Sequence, residues 1–322
     1  MPSNLAEQLL DLARKWDAHI EAFVREDSEA WVLEFGNPRK TVTYDAKLPV
    51  NVASVPQRSP FRYPGGKTWL VPRVRQWLES RKRRPARLIE PFAGGGIVSL
   101  TAGFEQLARH VVFSEKEEGV AAVWRVVLNG KANWLAERIK SFELTHEAVI
   151  KILNDPPGNV TDEAFRTILR NRVQRGGIMA KGAGLVKTGE NGRGLNSRWY
   201  PETLARRILE INAIRDRFTF AGGDGLALIR EHLDDENAVF YVDPPYTIAG
   251  KRLYTHWNVN HEELFTLLSK AKGDVLMSYD HTPEVEAWAA KHGFKTRAIA
   301  MKSTHHAKMT ELLIGRDLSW LV

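Results

Sequence analysis

The chain contains no cysteine. That absence removes disulfides, thiolate zinc sites, iron–sulfur clusters and a thiol nucleophile from consideration, and it fits a reducing interior. No apolar run approaches the ~20 residues of a membrane-spanning helix, so no membrane partner is expected. The start, Met1-Pro2-Ser3-Asn4, has neither a basic opening nor an apolar stretch, so no secretory leader is expected. Low-complexity tracts and internal repeats are also missing, which excludes solenoids and collagen-like rods.

The 322 residues are enough for one large domain or several small ones with a substantial core. Lys and Arg number 46 against 39 Asp and Glu, a net charge of +7. A basic excess fits a polyanionic partner, nucleic acid first, or simply a basic soluble protein. The ten Trp can fill cores or stack on bases.

Leu5, Leu9, Leu12, Trp16, Ile20 and Phe23 repeat at the spacing of one helix face, so a helix is expected over 5–24. Trp31–Phe35 and Thr41–Tyr44 flank Gly36-Asn37-Pro38 and read as a short hairpin. Pro49, Pro56 and Pro60 mark a linker. From about residue 61 short apolar runs alternate with helical patterns. The runs 88–90, 111–113, 238–242 and 275–279 predict a mostly parallel sheet with helices on both faces. The runs 296–301 and 311–315 predict a final antiparallel pair. Residues 141–215 interrupt the alternation with helices expected at 146–153, 161–172 and 201–215. Between them lies a Gly-, Asn-, Lys- and Arg-rich loop.

Two segments carry chemistry. In Ile89-Glu90-Pro91-Phe92-Ala93-Gly94-Gly95-Gly96 a strand runs through a glycine turn into a helix. Such a turn lets a nucleoside cofactor approach the backbone and the helix N-terminus, or it is a tight turn with no ligand. The dinucleotide fingerprint fails because Ser99 stands where its last small residue belongs. A phosphate loop at Gly66-Lys67-Thr68 fails because Phe61 stands where its first glycine belongs. Glu115, after the second strand, is either an acceptor for ribose hydroxyls or a surface carboxylate beside Lys116, Glu117 and Glu118.

The second segment is Val242-Asp243-Pro244-Pro245-Tyr246, directly after an apolar strand. The prolines stiffen the turn and remove two N–H donors. What remains is acceptor-rich, the Asp243 carboxylate and the Pro244 carbonyl, which suits a donor-only group such as an exocyclic amine. Tyr246 adds an aromatic face for a planar base. The other Asp-Pro-Pro, at Asp155-Pro156-Pro157-Gly158, follows a helical pattern, lacks a ring and reads as a loop between helices.

Phe61-Arg62-Tyr63-Pro64-Gly65-Gly66-Lys67, then Glu90–Gly96, then Asp243–Tyr246, in that order, resemble the Dam-type DNA adenine methyltransferases over about residues 60–316. Asn171-Arg172, Ser278–Thr282 and Thr310–Ile314 are weaker echoes of the same family. The resemblance implies an α/β, Rossmann-like methyltransferase sheet with an inserted helical target-recognition subdomain and a small N-terminal extension. The implied divisions are 1–57 (extension and linker), 58–140 (catalytic, cofactor motifs), 141–215 (insert) and 216–322 (catalytic, Asp243–Tyr246).

It also implies transfer of a methyl group from S-adenosylmethionine to N6 of an adenine rotated out of double-stranded DNA. Asp243, Pro244, Pro245 and Tyr246 would be catalytic. Tyr63, Gly65, Gly66, Lys67, Glu90, Phe92, Gly94, Gly96, Glu115, Asp224 and Asp243 would hold the cofactor, with Lys67 on its carboxylate and Asp224 at its adenine. The family more often has Asp at the position of Glu115, and an aromatic at that of Gly225. Arg170, Arg172, Arg175, Lys181, Lys187 and Arg193 would contact DNA, some on phosphates and some on bases. Tyr254 and Trp257 would wall the base pocket or pack on the sheet. Arg81–Arg84, and Lys302 with His305-His306, read as solvated loops, and no metal is expected. A restriction endonuclease partner, a monomer or dimer, and a cytoplasmic setting in a bacterial nucleoid or phage-infected cell are further implications. Competing readings are a cytosine-N4 or RNA methyltransferase and a catalytically silent DNA-binding homologue. Residues 1–57, outside the resemblance, could cover a sheet edge, pair subunits or add DNA contacts.

Overall fold

The structure is a computed structural model describing residues 22–27, 30–35, 55–62, 66–177, 184–189, 192–246, 258–302 and 308–321. The backbone alone is described in the first two segments and at 301–302 and 308–309. The chain divides into two compact units, Met1–Thr43 and Tyr44–Val322.

In the first unit β1 (Ala22–Asp27) pairs antiparallel with β2 (Ala30–Phe35), setting Phe23 opposite Glu34 and Val24 opposite Leu33. Residues 22–24 are strand rather than the end of the helix expected over 5–24, and Trp31–Phe35 pairs with the strand before it, while Thr41–Tyr44, its expected partner, lies outside the described residues. The backbone pairing of 22–27 with 30–35 outweighs the helical spacing of Ile20 and Phe23. Residues 5–21 and 41–44 lie outside the described residues.

The second unit opens with α1 (Val71–Glu79), β3 (Arg87–Glu90), α2 (Ile97–Phe104) and β4 (His110–Phe113). Among the described residues five α-helices follow before the next strand: α3 (Glu118–Leu128), α4 (Ala132–Lys140), α5 (His146–Asn154), α6 (Val160–Val173) and α7 (Pro201–Ala213). Then come β5 (Phe218–Phe220), α8 (Gly225–His232), β6 (Ala238–Val242), α9 (His261–Lys270) and β7 (Asp274–Asp280). The chain closes with α10 (Pro283–Lys291), β8 (Lys295–Lys302) and β9 (Lys308–Gly315).

These strands form one seven-stranded sheet in the order β5-β4-β3-β6-β7-β9-β8. The first five are parallel, and β9 runs antiparallel between β7 and β8. The fold is therefore the mixed α/β sheet expected from the alternation, with its antiparallel end. All five residues of β6 are buried, as a strand covered on both faces requires.

Side chains alternate between the two faces. Leu88, Phe113, Tyr241, Leu276 and Leu313 join one core with α1, α2 and α3. Ile89, Val112, Phe240, Met277 and Leu312 join the other with α8, α9 and α10. The helices of 141–215 do not build a core of their own. Val149, Phe165, Ile168, Leu204 and Ile208 belong to the first cluster, because α3 and α4 present apolar faces for them to cover. Asp155–Gly158 is the loop between α5 and α6.

The chain reverses direction across the sheet between β3 and β6, which are neighbours although far apart in sequence. Ligands of open α/β sheets bind beyond the carboxyl ends of the strands at such a point. The turns after both strands, 90–96 and 243–246, lie there.

Candidate active site

The 90–96 turn is built to stay open. Gly94 and Gly96 have φ of 51° and 68°, a region that only glycine enters without strain. At Gly96 a Cβ would also stand 2.9 Å from the Trp124 indole, whose Nε1 donates to the Gly94 carbonyl at 3.1 Å. Ser114 Oγ donates to Pro91 O at 2.8 Å and fixes the turn to the end of β4.

Three carboxylates converge on this end of the sheet. Glu90 is 3 % exposed and accepts from the backbone N–H of Ser99 at 2.7 Å and from the Ser99 hydroxyl, in the first turn of α2. Burial pushes it up to about 8, against the pull of those bonds, and the charges of Asp243 and Glu115 add to the rise. Glu115 accepts from Gly94 N at 2.8 Å and Glu117 N at 2.7 Å. Burial raises its carboxyl too. Asp243 follows β6 and accepts from Ser278 Oγ at 3.0 Å, and burial raises it while Lys67 pulls it down.

Lys67, 6 % exposed, is the cation among them. Its Nζ lies 3.0 Å from Asp243 Oδ1 and 3.3 Å from Glu311 Oε1, and 4.6 Å from the centre of the Tyr246 ring. The Tyr246 hydroxyl donates to Glu311, and its ring lies near-parallel to that of Tyr279 at 6.4 Å between centroids. Sheet parity explains the gathering. Glu90, Ser278 and Glu311 share the face of Leu88, Leu276 and Leu313, the side covered by α1 and the turn before it.

Asp224 caps α8, accepting from Leu226 N at 2.7 Å, and its other oxygen is 3.5 Å from Lys116 Nζ. Gly225 is required behind it: a Cβ there would stand 2.5 Å from Pro91 O and 2.9 Å from the Phe92 ring. The close approach of α8 to the 91–92 turn thus leaves no room for a side chain at 225.

Pro244 is buried and Pro245 half-buried. Of the basic residues, Arg175, Lys187 and Arg193 are exposed and Arg170 is half-buried. Arg172 is not on the surface. It is 5 % exposed and its guanidinium donates to the Pro60 carbonyl, with burial lowering it to about 9. Tyr63, Gly65, Lys181, Tyr254, Trp257, His305 and His306 lie outside the described residues.

Sequence reasoning gave no site role to Glu311 or Ser278. A charged residue at an inward position of the apolar run 311–314 was the available signal.

A cationic ligand suits this end of the sheet: Glu90 is buried, Glu115 and Asp243 are half-buried, Lys67 pairs with Asp243, and two left-handed glycines keep the backbone approachable. S-adenosylmethionine carries a sulfonium and an ammonium, and so fits the donor set present.

Residues 63–149 match the family described as D12 class N6 adenine-specific DNA methyltransferase. No curated protein matches the chain. Among solved structures, the chain is similar to a Pyrococcus horikoshii protein, PH1948, provisionally described as an RNA methyltransferase. Identity there is 12 %, with 85 % of this chain and 91 % of that one covered and a TM-score of 0.36. The rRNA methyltransferase aviRa of Streptomyces viridochromogenes gives 13 %, 79 %, 87 % and 0.37 for the same quantities. The tRNA methyltransferase TrmK of B. subtilis gives 9 %, 75 %, 64 % and 0.31. At these scores the overlaps carry no argument about substrate. The family match over 63–149, which spans the cofactor turn, supports a methyltransferase with S-adenosylmethionine as methyl donor. No helix among the described residues is long and apolar enough to cross a membrane.

Proposed function

We propose that the protein methylates N6 of adenine in double-stranded DNA. The observation that carries this reading is the placement of the Asp243–Tyr246 corner beside the 90–96 turn, on adjacent parallel strands. S-adenosylmethionine supplies, when bound, a methyl group activated on a sulfonium. Glu90 and Phe92 to Gly96 hold its amino-acid end, Glu115 its ribose and the Asp224 turn its adenine.

The harder half of the reaction is the nucleophile, because the amine lone pair is delocalised into the purine ring. Asp243 and the Pro244 carbonyl accept hydrogen bonds from the amine and draw the nitrogen towards tetrahedral geometry. When the nitrogen gains the methyl it must lose a proton, which the Asp243 carboxylate can take. The base reaches the site by leaving the duplex, and Tyr246 stacks on it. Arg175, Lys187 and Arg193, with Arg170 and Lys181, supply backbone and base contacts around the insert.

Asp243→Ala tests the assignment. Loss of one such preorganised contact should slow methyl transfer by about 10²-fold or more, a larger effect than the change in cofactor affinity read by calorimetry. A variant that keeps more than about a tenth of the wild-type rate contradicts the role.

A further inference from the structure

Glu311 sits at an unusual place for a carboxylate. It lies in β9 between two strands, opposite Asp280 of β7 and Ile299 of β8, and is 3 % exposed. Because β9 runs against the parallel strands, its early residues reach the carboxyl end of the sheet, where Asp243 lies.

Two interactions hold it there. Lys67 Nζ is 3.3 Å from Oε1, and the Tyr246 hydroxyl donates to the same oxygen. The ammonium is therefore divided between Glu311 and Asp243, which is 3.0 Å from it. Division matters chemically. An ammonium spent on Asp243 alone would neutralise the acceptor that the substrate amine needs. Sharing leaves a cluster of two carboxylates and one ammonium, which suits a site where positive charge moves from sulfur to nitrogen. Tyr246 is half-buried, and its hydroxyl would lose a charge-assisted bond if unpaired. Held by Glu311, it fixes the plane of a ring on which a base is to stack.

We propose that Glu311 is a positioning residue of the methyl-transfer site, sharing the Lys67 ammonium with Asp243 and anchoring the Tyr246 hydroxyl. This inference rests on the adenine methyltransferase reading above.

The test compares wild type, Glu311→Gln, Glu311→Asp and Tyr246→Phe on unmethylated DNA, with folding checked by thermal unfolding. In Glu311→Gln, kcat should fall by about 10²-fold, the size usual for misplacement near reacting atoms. Cofactor Kd and DNA KM should move by less than about threefold, the pattern of an interaction that acts in the transition state. Glu311→Asp, which keeps the charge and shortens its reach, should recover part of the loss. Carbon-13 NMR of the side-chain carboxyls gives a reading independent of activity: Tyr246→Phe should displace the Glu311 signal.

A folded Glu311→Gln enzyme with wild-type kcat overturns the proposal, as does a loss of activity that only tracks the unfolded fraction. Should that variant not fold, Glu311→Asp and Tyr246→Phe decide. Both should lower kcat by about tenfold or more, and unchanged rates overturn the proposal. Wild type that methylates adenine while Glu311→Gln is unaffected defeats this inference alone. Wild type without adenine methylation defeats both.

Discussion

Lys67 Nζ lies 3.0 Å from Oδ1 of Asp243, joining the 3-10 turn Lys67–Trp69 before α1 to the corner that ends β6. Both side chains are largely buried, so the ammonium is not screened by water. The family resemblance assigns Lys67 to a cofactor carboxylate, and among the described residues its ammonium also pairs with Asp243 and Glu311.

Replacing Lys67 with Met should leave two buried carboxylates without their cation. Breaking a buried pair by removing one partner costs about 3–5 kcal/mol. Urea unfolding should show a loss of that order, and Asp243 and Glu311, both of which Lys67 pulls down, should take up protons at higher pH than in wild type. A variant as stable as wild type would mean that the ion pair is open to solvent.

Asn171→Ala tests how the segment leading to Lys67 is held. The Asn171 side chain accepts from Arg62 N at 2.8 Å and donates to Arg62 O at 2.9 Å and Gly177 O at 3.0 Å. Arg207 donates to Ser59 O at 3.0 Å, and Ser59 Oγ donates to the Gly95 carbonyl, so residues 59–62 are tied to α6, α7 and the cofactor turn together. Losing one buried and two part-buried bonds should cost about 2–4 kcal/mol. Cofactor affinity should fall as well. Unchanged calorimetric affinity would show that the strap does not position the turn.

Much of this was legible in the sequence, and the misses have physical causes. The apolar runs of β3, β4, β6 and β7 were plain because strands buried on both faces must be apolar throughout. The edge strand β5 was not, since Phe218-Thr219-Phe220 is too short to show a period. Asp243 and the glycine turn stood out by spelling. Glu311 did not, because its role depends on β9 inserting between β7 and β8, a register that no local pattern encodes. Arg172 was counted with the DNA contacts because composition does not tell a buried guanidinium from an exposed one. Gly225 looked like a departure from a pattern, yet contact with Pro91 and Phe92 demands it.

Glu311, raised by burial to about 7, adds to the pH response that follows from Glu90. The Glu90 carboxyl is raised from 4.5 to about 8 by burial, so at pH 7 the free protein holds it mostly protonated. A folded-state value above the unfolded one means that its contribution to stability is full below about 4.5 and lost as pH rises towards 8. Glu90→Gln should therefore weaken the decline in stability across that window. A cationic cofactor favours the ionised form, so binding at pH 7 should release protons, and affinity should rise until about pH 8. Calorimetry in two buffers of different ionisation enthalpy reads this directly. Heats that do not depend on the buffer would contradict it.

The chemistry itself is tested most directly by the product. The protein is incubated with S-adenosylmethionine carrying a tritiated methyl group and unmethylated genomic DNA, and the DNA is digested to nucleosides and separated. The account predicts that the label co-migrates with N6-methyldeoxyadenosine. Label in N4-methyldeoxycytidine, or transfer to RNA and not to DNA, would contradict it.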